Sequence, residues 1–162
     1  MLKLLLSERI SPNVASGLRR RARGIVVHAL AEWEGGNYLA REEVSCLKEA
    51  ARQRLTFVTY DRLTIPPLLK AWADEECASG ECSHGGFVFI DEKSIPPAET
   101  AGLVLALAML AKEAERWDWT DRVCFLRGGG SSFVLKDGVR GIPPFPQKQE
   151  PGEGGAPDLQ YP

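Results

Sequence analysis

The sequence predicts an α/β fold, with a mostly parallel sheet covered by helices on both faces. Three observations carry this. Short apolar runs recur along the chain, among them Leu4-Leu5-Leu6, Phe57-Val58 and Phe87-Val88-Phe89-Ile90. Unbroken runs of that kind mark strands buried on both faces. The stretches between them carry apolar residues at helical spacing, and strands alternating with helices in this way specify parallel pairing.

The first strand is Lys3 to Leu6, followed by Ser7 and Glu8. Ser11-Pro12 supplies a capping hydroxyl and a proline suited to a first helical turn, so a helix is expected at once. It runs from Ser11 to Arg23 on the spacing of Val14, Ala15, Leu18 and Ala22, and Gly24 ends it. Arg19, Arg20, Arg21 and Arg23 crowd its last turn, where cations oppose the helix dipole favourably. They are either a solvated helix end or a phosphate-contacting patch.

Ile25 to Leu30 is the second strand, with His28 as a packing residue. A loop with Trp33 and Gly35-Gly36 follows, then a helix from Leu39 to Arg54 with Glu42 and Glu43 near its start. Thr56 to Thr59 is the third strand, leading to Asp61. Thr64 with Pro66-Pro67 starts a helix over Ile65 to Glu76. Gly86 to Asp91 is the fourth strand, and Pro96-Pro97 opens a long helix to about Arg116. Asp121 to Leu126 is the fifth strand, turned by Gly128-Gly129-Gly130 into a hairpin partner at Ser132 to Leu135. The domain is expected to span 1–141. Residues 142–162, rich in Pro, Gly, Glu and Gln, form a tail too polar to offset its ordering entropy.

At 162 residues, a formal net charge of −2 and a pI of about 5.8, the chain supports one domain and shows no global basicity. Nucleic-acid contact would have to be local. The start runs directly into a strand without a cleavage-site pattern, and the longest apolar stretch is too short for a bilayer, so a cytoplasmic, non-membrane protein is expected. That setting predicts thiols rather than a disulfide framework for the four cysteines. Cys77, Cys82 and His84, with Cys46 or Cys124, could clasp zinc, but the spacing is not that of a strong zinc motif. Unligated loop thiols are the favoured reading.

Glu8 and Asp61 each stand just past a buried strand, at the edge where open α/β sheets bind ligands. The purely structural alternative is a turn or helix-start carboxylate. Oxygen donors converging from separate elements suit Mg²⁺ or Mn²⁺, which can activate water against a phosphodiester.

Leu5-Leu6-Ser7-Glu8-Arg9-Ile10-Ser11-Pro12, then Val26-Val27-His28, Glu42-Glu43-Val44 and Val58-Thr59-Tyr60-Asp61-Arg62, taken as an ordered set, resemble the PIN-like family of short bacterial proteins. These are related to the toxins of type II toxin–antitoxin pairs. The motifs cover residues 2–64, and strand and helix order continues the likeness to about 127. The resemblance implies a Rossmann-like three-layer α/β/α sandwich and a metal-dependent ribonuclease. It implies Asp61, Glu8 and Glu42 as catalytic residues and Asp61, Glu8 and Glu43 around Mg²⁺ or Mn²⁺. Independently of the resemblance, the charge of Arg19, Arg20, Arg23 and Arg62 would suit them to hold RNA phosphates; an antitoxin and a second copy are the protein partners that the resemblance implies. Three positions depart from the family pattern: Ser7 and Arg41 replace acids, and Leu63-Thr64 replaces a further Asp-Phe pair. Fewer charged ligands weaken a metal site. The alternative is therefore a degenerate PIN-like domain that binds RNA or protein without cutting.

Overall fold

A computed structural model describes residues 2–39, 41–76 and 82–128, and the backbone of 130–134. Six strands form one sheet: β1 (Lys3–Leu6), β2 (Val26–Ala29), β3 (Thr56–Thr59), β4 (Phe87–Ile90), β5 (Val123–Arg127) and β6 (Gly130–Val134). Their order is β2-β1-β3-β4-β5-β6. The first five are parallel, and β6 closes an antiparallel hairpin on β5. The Rossmann-like α/β class is thus the observed one. Four helices connect the strands: α1 (Pro12–Arg21), α2 (Glu43–Arg52), α3 (Ile65–Glu76) and α4 (Thr100–Glu113).

Strand alternation distributes the core. Leu4, Leu6, Val58, Val88, Ile90 and Leu126 share one hydrophobic cluster with Val14 and Leu18 of α1 and Leu103, Leu107 and Leu110 of α4. Leu5, Phe57, Phe87, Phe89 and Phe125 share the other with Leu47 of α2 and Ile65 and Leu69 of α3. On that second face four phenylalanines run across the strands, with successive ring centroids 5.8–6.0 Å apart. Such spacing suits aromatic contact and adds to simple burial.

Two helices start later than expected. α2 begins at Glu43, because the chain through Trp33–Gly36 makes a short 3-10 turn with Glu34 and Gly35 at positive φ. α4 begins at Thr100; Pro96-Pro97 precede it in a turn rather than opening it. The expected cysteine state also needs correction. Cys46 and Cys124 are buried free thiols, but Cys82 is disulfide-bonded. The expected tail boundary at 141/142 and Cys77 lie outside the described residues.

Candidate active site

The chain passes from β1 outward to β2 and returns to β3 on the other side of β1. That reversal is a topological switch point, and the crevice beyond the carboxyl ends of β1 and β3 is where such sheets take ligands. The Ser7 N–H donates to Val58 O at 2.9 Å, holding the two exits side by side. Ser7 and Thr59 are both buried there. Alternation from Leu5 and Phe57 turns both toward α2 and α3. Thr59 Oγ1 accepts the Asp61 N–H at 2.9 Å. Asp61 Oδ1 in turn accepts the N–H groups of Leu63 at 3.1 Å and Thr64 at 2.8 Å. The Thr-x-Asp sequence therefore locks the carboxylate, and one of its oxygens is engaged at the start of α3. The helix-start role weighed for Asp61 is real.

Glu43 enters from the first turn of α2. Its pKa is raised, first by burial and then by the carboxylates of Asp61 and Glu8. Acids from the end of β1, the start of α2 and the end of β3 thus act on one another electrostatically. Glu42, the alternative acid, takes the N-cap position of α2 without a side-chain cap bond, and both glutamates are solvent-exposed. Glu43 is the helix-start acid whose titration responds to Glu8 and Asp61. One turn on, Cys46 is pushed up by burial and by Glu43, with Glu8 adding and Arg41 opposing. A buried thiol with a raised pKa is a poor nucleophile.

Arg41 acts on Cys46 through its charge and is held by the loop before α2. Its guanidinium sits 5.1 Å over the Tyr38 ring, which stacks on Trp33 at 4.7 Å. Arg9 points the other way, pairing with Glu92 at 3.1 Å and lying 5.9 Å over Tyr60. Tyr60 is buried and donates its hydroxyl to Ile95 O at 2.8 Å; burial, reinforced by Glu92, raises its pKa to about 12.

Sequence reasoning did not single out Asp91, a further carboxylate at the same edge of the sheet. It is the first residue past β4, and with Arg62 and Lys93 it lines a cavity of about 210 Å³. The signal was available, since Gly86 to Asp91 has the same run of apolar residues ending in an acid.

The arginines divide between the two edges of the sheet. Arg62 stays at the carboxyl edge beside Asp61. α1 runs back along the sheet, so Arg20 and Arg23 reach the opposite edge, before β2 begins. Arg19 is tied along β2, donating to Val27 O at 2.8 Å and lying 3.6 Å from Glu32. Arg20 and Arg23 thus stand a helix length from the acids, about 15 Å along α1.

The cysteines do not form the sketched zinc set among the described residues. Cys46 and Cys124 lie in opposite clusters of the sheet. His84 is buried, with Nδ1 accepting the Gly86 N–H at 3.0 Å and Asp121 3.9 Å from Nε2. Among the described residues no three His, Cys, Asp or Glu side chains stand close enough to form a ready-made metal cage. The donor chemistry nevertheless suits Mg²⁺, which is commonly held by one or two carboxylates, several waters and substrate phosphate. Ser7 Oγ adds an unsatisfied oxygen at the base of the crevice: it is buried without a hydrogen-bond partner.

Among the described residues no helix is long and apolar enough to cross a membrane. Comparison with protein-family models, curated proteins and solved structures finds no match for this chain.

Proposed function

We propose that this chain is a divalent-cation-dependent ribonuclease acting at the β1–β3 switch point. The observation supporting this most directly is the placement of Glu8 and Asp61 just past β1 and β3, whose exits the Ser7 N–H to Val58 O bond of 2.9 Å holds side by side, with Glu43 responding to both acids. Carboxylates gathered from three elements favour a cation that relieves their repulsion. One or two of Glu8, Glu43 and the free oxygen of Asp61, completed by waters and substrate phosphate, would hold Mg²⁺ or Mn²⁺. Such an ion would supply an activated water and charge neutralisation at the scissile phosphate. Arg62 and Lys93, which line the small cavity at the exits of β3 and β4, would hold the flanking phosphates. Thr59 keeps Asp61 oriented through its backbone N–H. A toxin acting opposite an antitoxin, and a homodimer, belong to the same proposal through the PIN-like resemblance.

The second reading, a binding module without catalysis, is favoured by Asp61 Oδ1 being engaged at α3 and by Ser7 standing where an acid would add charge. One experiment separates them. RNA cleavage is measured with Mn²⁺ for the native chain, Asp61→Asn and Glu43→Gln, alongside NMR line broadening by Mn²⁺. The nuclease reading expects cleavage that falls about 100-fold in each variant. It also expects broadening centred on residues 8, 43 and 61. RNA binding without cleavage selects the second reading, and loss of both binding and broadening removes the two together.

A further inference from the structure

The opposite edge of the sheet carries a second feature. A cavity of about 600 Å³ opens between the end of α1 and the last turns of α4. Its floor is aliphatic, formed by Leu2, Ile25 and Ala108, and its lip by Leu105 and Met109. Those two lip residues are 43% and 63% exposed, although large apolar side chains on this fold are mostly buried. Arg21, Arg23 and Lys112 stand on the wall, opposed by Glu115. Among the described residues, none of these three cations has an ion-pair partner, whereas Arg19 on the same helix is tied to Glu32. The volume falls within the ~300–1,000 Å³ typical of small-molecule sites, and so does the pattern of apolar lining with a few charged groups.

We propose that this cavity binds a single-chain amphipathic anion, with an aliphatic chain on the floor and a carboxylate head facing Arg21, Arg23 and Lys112. The charge and shape of the site favour this occupant over the alternatives. A second copy docked two-fold on the same patch would set these cations against themselves. RNA would find positive charge, but none of the side chains lining the cavity is aromatic, so bases have nothing to stack on. A planar bilayer would meet the lip and leave the recess unfilled. A free amphiphile places apolar surface and negative charge where the cavity needs each. The site lies across the sheet from the carboxylates and stands independently of the nuclease reading.

The test titrates the full chain with octanoate, using 1-octanol and butyrate as probes that lack the head or the chain. Binding is read by calorimetry and by amide NMR shifts. Octanoate is expected to saturate one site, with shifts centred on residues 105–112, and each control to bind about tenfold more weakly or worse. Arg21→Glu is expected to weaken octanoate by a similar factor, and Ala108→Phe to abolish binding by filling the floor. Should Ala108→Phe fail to fold, Leu105→Glu at the exposed lip replaces it and is expected to weaken binding. Absence of saturable binding, equal affinity for 1-octanol, or shifts centred elsewhere would overturn the proposal. So would binding to phosphatidylglycerol vesicles without binding to free octanoate.

Discussion

Asp61 serves both the fold and the candidate chemistry, and substitutions separate the two roles. Its Oδ1 accepts two N–H groups at the start of α3. Asparagine can keep those bonds and alanine cannot, so Asp61→Ala should cost about 1 kcal/mol in urea denaturation while Asp61→Asn costs little. Both variants should bring the Glu43 pKa down, since Asp61 helps to raise it; a carboxyl NMR titration reads this. The sign of the Glu43 effect on stability follows. Folded Glu43 keeps its proton above its ordinary value of 4.5, so its favourable contribution is complete below that pH and is lost as pH rises through the folded pKa. Glu43→Gln should therefore gain on the native chain between about pH 4 and pH 7, compared by urea denaturation at each. At this scale Glu8 and Asp61 were legible from their places after strands. The choice of Glu43 over Glu42 was not, because one residue of helix phase turns a side chain about 100° and only the observed start of α2 sets that phase.

At the scale of elements, α1 and α4 approach closely because Gly17 has no side chain. A Cβ built there would meet Val104 Cγ2 at 2.8 Å. Valine is stiff at χ1 and yields poorly. Gly17→Ala should gain helix propensity of about 1 kcal/mol but lose more to overpacking. The net expected loss is about 1 kcal/mol, turning to a gain in the Val104→Ala background. Thermal denaturation of the single and double variants checks the reversal. α1 and α3 were readable because their caps are local: Ser11 Oγ accepts the Asn13 N–H at 3.2 Å, and Pro12 follows. The late start of α2 was not readable. Leu39 fits a helical period, but it is 44% exposed and belongs to the turn before the helix. There the loop is anchored by Trp33, buried among residues of β1, α2 and α3, and that packing is tertiary.

For the molecule as a whole, charge is arranged by edge. Glu8, Glu43, Asp61 and Asp91 gather toward the carboxyl edge, while Arg20, Arg21 and Arg23 end up at the other. If RNA is cut at the acids, the cations nearest them should matter most. Arg62→Glu is expected to weaken RNA binding about tenfold, and Arg20→Glu to change it little at moderate salt, since its charge lies beyond a Debye length of about 10 Å. Filter binding at two salt concentrations distinguishes the pair. The arginine run was conspicuous in the sequence, but its distance from the acids depends on the direction of α1.

The amino-acid sequence by itself determined the α/β class, the parallel strands and the acids at the exits of β1 and β3. Those features are written in local periodicity, capping residues and buried runs, which act over a few residues. Only the tertiary structure decided which of two adjacent glutamates responds to the acids, where the arginines finish, and that a cationic apolar cavity opens beside α4. Each of these depends on helix phase, strand order or the packing of distant segments, and none of those is encoded within a short window of sequence.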